Sequence, residues 1–129
     1  MRISKDDLPI AVQTDGYVGS YAEMGEYLFA FESCVSGYSM DPLVSIFPDK
    51  ACPVEHWGFV FTGRVRVEYV DGTEEIFNAG DAFWVPPGHR PYMLADTQLL
   101  QVSRTSEHEA LRRKFVEAGL FPGGEEDRR

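Results

Sequence analysis

Between Arg64 and Val70 the chain reads RVRVEYV, with Val65, Val67 and Tyr69 alternating against Arg64, Arg66 and Glu68. A period of two sends successive side chains to opposite faces, so this segment predicts a half-exposed strand. The Asp71-Gly72 pair that follows predicts a tight hairpin turn, since glycine readily takes the positive φ such turns demand. Upstream, HWGFVFTG (56–63) is apolar or pocket-like in both registers: Trp57, Phe59 and Phe61 in one, His56, Gly58 and Val60 in the other. It predicts a strand covered on both faces. EYLFAFESC (26–34) is rich in aromatic residues and predicts a strand. So does LVSIF (43–47), bounded by Asp41-Pro42 and Pro48-Asp49. AGDAFWVPPGH (79–89) reads as a turn, a short apolar strand and a double proline that stops it. YML and QLLQVS add two more strands around the turn ADT.

After residue 104 the period changes. Ser106 stands three residues before Glu109, a capping-box arrangement, and a helix is predicted over 107–118. Leu111, Phe115 and Ala118 share one face, Arg112, Arg113 and Lys114 approach the negative end of the dipole, and Gly119 is placed to end the helix. Many short antiparallel strands with frequent turns predict an all-β sandwich or small barrel carrying one C-terminal helix. No repeat or linker interrupts it. The expectation is one domain over 1–122, with barrel strands from about 26 to 104 and a flexible acidic tail, GGEEDRR, at 123–129.

The 129 residues suffice for one core, and 43% hydrophobic with 13% aromatic content is that of a folded chain. No run approaches the roughly eighteen apolar residues of a membrane span, which disfavours membrane insertion. The opening MRISKDDLPIAV lacks the apolar stretch of a secretory signal, so the expected address is the cytoplasm. A net charge of -9 repels phosphate backbones and argues against a nucleic-acid partner. Two cysteines, Cys34 and Cys52, are too few for a disulfide framework and read as thiols.

Residues 49–95 resemble the paired signatures of the cupins, small β-barrels of the jelly-roll type. Gly80, Pro86 and Gly88 in GDAFWVPPGHRPYMLA match the second signature in register. Gly63 matches the closing glycine of the first, and a tight hairpin separates the two. The resemblance implies a single-domain cupin barrel. It also implies a homodimer, because cupins commonly dimerise through an aromatic surface such as Trp57, Phe59 and Phe61; coverage by the chain's own N-terminal segment is the alternative. The metal-ligand positions depart from the family. The glutamate position holds His56, and the two histidine positions hold Lys50 and Cys52, or Asp49 and Ala51 with the longer spacing. The histidine of the second signature is replaced by Pro91 and its asparagine by Ala95.

Strand alternation puts Cys52, Val54 and His56 on one face, with Glu55 opposite, and brings His89 inward two residues before Pro91. Cys52, His56 and His89 are thus candidate ligands for a divalent transition metal such as Zn, Fe, Ni or Cu. No organic cofactor is indicated. Each has a plainer reading: a buried small hydrophobe for Cys52, a core histidine for His56, a turn cap for His89. His108, in the first helical turn, reads as surface. His56, His89 and Tyr92 are the candidate catalytic groups, while Phe47, Val54 and Trp84 are expected to wall the pocket and Tyr69 or Arg90 to orient a polar substrate group. Three functions remain open on this reading. One is a metal-dependent enzyme on a small molecule, for which the resemblance allows isomerase, lyase, decarboxylase or dioxygenase chemistry. The others are metal-free histidine acid–base catalysis and a ligand-binding or sensor domain.

Overall fold

In the computed structural model, which describes residues 1–121, nine strands fold into two facing sheets. The segment 123–129, read above as a tail, lies outside the described residues. The strands are β1 (Val12–Thr14), β2 (Tyr17–Met24), β3 (Tyr27–Cys34), β4 (His56–Thr62), β5 (Arg64–Tyr69), β6 (Glu74–Asn78), β7 (Ala82–Val85), β8 (His89–Met93) and β9 (Thr97–Arg104). Two helices, α1 (Asp41–Val44) and α2 (Thr105–Glu117), complete the described chain. The larger sheet runs β1-β2-β3-β9-β4-β7 and the smaller β6-β5-β8, every pairing antiparallel. β3 pairs with β9 along its full length, so a long non-local pairing holds the barrel's first half to its last strand.

The alternation read in β5 is the one observed: Val65 and Val67 are buried while Arg64 is exposed. Between the sheets, Val60, Val65, Val67, Val85, Met93 and Leu99 form the main core. Burying aliphatic side chains of this size contributes roughly 1.5–3 kcal/mol each. A second cluster, with Val44, Val54, Leu111 and Phe115, closes one end of the barrel beneath α2. Gly63 makes the β4–β5 turn at φ 95, and a Cβ there would lie 2.4 Å from the Asp96 carbonyl oxygen. Only glycine fits both the conformation and the space.

Three expectations are corrected. The strand predicted over 43–47 is instead the short helix α1 followed by turns. Asp41 and Pro42 open it, since proline at a helix start has the right φ and loses no bond. The barrel begins before residue 26: Asp15-Gly16 turns β1 into β2, with Gly16 at φ 85. Helix α2 starts at Thr105, after Arg104 in extended conformation, and no side-chain bond caps it, so the Ser106–Glu109 capping box does not form. Its inner face is nevertheless the predicted one, with Leu111 and Phe115 buried.

Candidate metal centre and cavity

The first residues of β4 and β8 are both histidines, and both point into the barrel. His56 pairs with Val85 of β7, and His89 pairs with Tyr69 of β5. Cys52 reaches them by another route. It lies outside the regular strands and makes an isolated antiparallel bridge to His89, its N–H donating to the His89 carbonyl at 2.9 Å. The Gly88 N–H returns a bond to the Cys52 carbonyl at 2.8 Å. All three side chains are buried, at 1% exposure for Cys52 and 3% for each histidine, and their donor atoms lie within 4.8 Å of one another.

Protons can be placed on these groups from their surroundings. A carbonyl only accepts, so His89 Nδ1–H donates to the Pro86 carbonyl at 2.7 Å, leaving Nε2 with its lone pair. Burial lowers the His89 pKa. It lowers that of His56 well below the ordinary value, with the nearby His89 adding to the effect. Both imidazoles are therefore neutral near neutral pH. Burial pushes the Cys52 thiol up to about 11, so it keeps its proton; the thiol donates to the Val54 carbonyl at 3.9 Å, and Sγ lies 3.6 Å from His56 Nε2. His56 Nδ1 and Ser103 Oγ on β9 share a hydrogen bond of 2.7 Å.

This arrangement fits a transition metal. Each histidine has its Nδ1 fixed by an outer partner and presents Nε2, the usual second-sphere pattern of metal-binding imidazoles. With Zn–S near 2.3 Å and Zn–N near 2.05 Å, two ligands at the tetrahedral angle stand about 3.6 Å apart. The Cys52 Sγ to His56 Nε2 separation is 3.6 Å. Three soft or borderline donors would hold such an ion and leave a coordination position open to a water or substrate.

The barrel interior is a cavity of about 90 Å³ lined by all three donors and by apolar side chains of both sheets, among them Val65, Phe83 and Leu99. Gly58 admits the Phe83 ring that lines it: a Cβ there would lie 2.3 Å from that ring and 2.2 Å from the Leu100 carbonyl oxygen. Helix α2 covers one side with His108, Leu111, Arg112 and Phe115. His108 is therefore not a surface residue. It stacks edge-on against Tyr21 with ring centres 5.5 Å apart, because position 108 falls on the same helical face as 111, 112 and 115.

The other residues expected at the pocket do not line this cavity. Tyr92 and Arg90 occupy the outward register of β8, since His89, Pro91 and Met93 take the inward one. The Arg66 guanidinium lies over the Tyr92 ring, and Arg90 pairs with Glu68 at 3.5 Å. Trp84 is 53% exposed, its indole N–H donating to Glu55. Phe47 packs near Phe115, Val54 is buried in the same end cluster, and Tyr69 donates to Glu75 at 2.6 Å. Inside the cavity, reasoning from sequence missed Glu32, Tyr17 and Tyr21. Glu32 carried a readable signal: it shares the inward register of β3 with Leu28, Ala30 and Cys34, a lone charge on a core face.

No protein-family model and no curated protein matches the sequence. Solved structures do match the fold. An RmlC-like cupin from Shewanella frigidimarina aligns with TM-score 0.61 and 19% identity, over 83% of this chain and 93% of its own. KdgF from Halomonas sp. aligns with TM-score 0.59 and 17% identity, over 78% and 90%. Fe(II)-HppE with an alternative substrate aligns with TM-score 0.55 and 14% identity, over 80% and 59%. Sequence conservation this low speaks for architecture and leaves chemistry to the site. In architecture the chain has the fold of these cupin structures.

Proposed function

We propose that the chain is a metal-dependent cupin enzyme acting on a small molecule held in the barrel cavity, with Cys52, His56 and His89 as ligands of one divalent transition ion, Zn, Fe, Ni or Cu. The observation that carries this reading is the convergence of three buried donors, one of them, His89, with its Nε2 lone pair already free, on the wall of a cavity. HppE, a neighbour in fold, carries Fe(II). A bound ion would supply Lewis acidity toward a carbonyl or lower the pKa of a bound water. The chain's own part is positional. Ser103 and the Pro86 carbonyl fix the imidazoles, Cys52 gives up its proton on ligation, and the apolar walls exclude bulk water. Reactions of isomerase, lyase, decarboxylase or dioxygenase type are compatible with such a site. We also infer a homodimer formed through the aromatic face of the larger sheet.

Elemental analysis tests the metal. Protein purified from metal-supplemented cells is expected to carry about one ion per chain, lost in Cys52→Ala and in His56→Ala. Wild-type protein that comes out metal-free overturns the reading. A pH-dependent turnover that needs His56 but not Cys52 would replace it with metal-free acid–base catalysis.

A further inference from the structure

A second polar cluster lines the same cavity and takes no part in holding a metal. The Tyr17 hydroxyl donates to Glu32 Oε2, and the Tyr17 and Tyr21 hydroxyls share a hydrogen bond of 2.7 Å. Glu32 Oε1 has no hydrogen-bond partner among the described residues. Glu32 is the only carboxylate among the described residues that line the cavity, and Arg112, the only lysine or arginine there, makes no ion pair with it. Glu32 is partly buried, and a carboxyl group drawn out of bulk water without a counter-ion is costly in its charged form.

We propose that Glu32 is the docking point for a protonated amine on the small molecule that occupies this cavity, an inference that rests on the cavity being the substrate site. The Tyr17 hydroxyl, itself bonded to that of Tyr21, satisfies Oε2, so Oε1 is left for a donor brought from outside. An ammonium group is the donor that also cancels the charge. An alcohol would satisfy the hydrogen bond and leave the carboxylate unpaired. Size narrows the class further. An apolar cavity of about 150 Å³ accommodates benzene, so about 90 Å³ selects a smaller body, of roughly four or five non-hydrogen atoms. Val65, Val67, Phe83 and Leu99 would line its hydrocarbon part. Burial raises the Glu32 carboxyl to about 7, against a small opposing effect of the Tyr17 bond, so an arriving cation would stabilise the ionised form near neutral pH.

The test uses n-butylamine, 1-butanol and butyrate, which share a total of four carbons and differ in the polar end. Each is titrated into purified protein at neutral pH and followed by protein NMR. Butylamine is expected to bind saturably with shifts at cavity residues, and the alcohol and the carboxylate at least about tenfold more weakly. Glu32→Gln is expected to weaken butylamine by about tenfold or more, and Glu32→Asp, which keeps the charge, by less. Should Glu32→Gln fail to fold, the wild-type selectivity and Glu32→Asp still decide the matter. No measurable butylamine binding, equal binding of butylamine and butanol, or an undiminished Glu32→Gln overturns the proposal. The titrations are repeated on chelator-treated protein, where amine binding is expected to persist. Absence of metal therefore sinks only the metal reading, and loss of amine selectivity in metal-loaded protein sinks only this one.

Discussion

Glu32 and the cavity histidines pull stability in opposite directions as pH changes. The Glu32 carboxyl is raised from 4.5 to about 7, burial being the main cause, so the folded chain holds this proton where the unfolded chain has released it. Its contribution is fully present below pH 4.5 and is lost as pH rises through about 7. For His56 and His89 the folded values lie below the unfolded 6.5, so the unfolded chain binds more protons in acid and stability falls as pH drops below 6.5. Comparison of Glu32→Gln with wild type isolates the first effect, because the histidines are common to both. Glutamine cannot ionise, so the variant should gain on the wild type between about pH 4.5 and pH 8, by up to about 3 kcal/mol. Urea unfolding of both proteins at the two pH values measures it. A difference that stays flat with pH would mean that Glu32 is solvated in the folded chain.

Helix α2 covers one side of the cavity, and its inner face was legible in advance because a 3.6-residue period survives any uncertainty about where the helix starts. Phe115 is 2% exposed and packs against the rings of Phe47 and Phe121. Truncation to alanine is expected to cost about 3–5 kcal/mol, read as a lowered urea midpoint with little change in the slope. A cost below about 1 kcal/mol would show that the helix does not depend on this contact. The strands from β3 onward were legible for a similar reason: two-residue alternation and glycine turns are local signals. β1 is three residues long and β2 mixes Gly19 and Ala22 with tyrosines, so neither shows the pattern of a strand until paired. The segment around α1 misled because apolar residues after a proline fit a short strand or a helical turn equally well. At the candidate site, alternation turned His56, His89 and Cys52 inward alike, but Cys52 reaches that position by another route. It approaches through an irregular stretch in which Lys50 takes φ 55, and a single bridge to His89 fixes its place. Tyr92 and Arg90 were assigned to the pocket on chemistry alone; the alternation that turns His89 inward turns them outward.

At the scale of the whole molecule, the larger sheet buries one face in the barrel and presents the other as a field of rings. Cross-strand register puts Phe29, Val102, Trp57 and Trp84 in one row and Phe31, Leu100 and Phe59 in the next. Phe61 stacks beside Phe31, and Tyr27 stands edge-on to Trp57. The chain's own N-terminal segment pairs along the edge of this sheet as β1 and β2 and leaves Phe59 36%, Phe61 44% and Trp84 53% exposed. A contiguous aromatic surface of this kind favours association, and a two-fold pairing of like faces satisfies it with a single self-complementary contact. The net charge of -9 opposes bringing two copies together. The charged groups noted beside the field, Glu55 with Arg104, are already paired at 2.7 Å, and Arg104 also lies over the Trp57 ring. A dimer through this face requires that burial of apolar area, at roughly 25 cal/mol per Å², exceed the screened repulsion between the two copies. Sedimentation equilibrium is expected to give twice the chain mass at micromolar concentration. Phe59→Asp and Phe61→Asp are each expected to shift the protein toward the chain mass while leaving its far-ultraviolet circular dichroism unchanged, since both side chains point away from the core. Wild-type protein that sediments at the chain mass, or a dimer untouched by either aspartate, would place the subunit contact elsewhere or remove it.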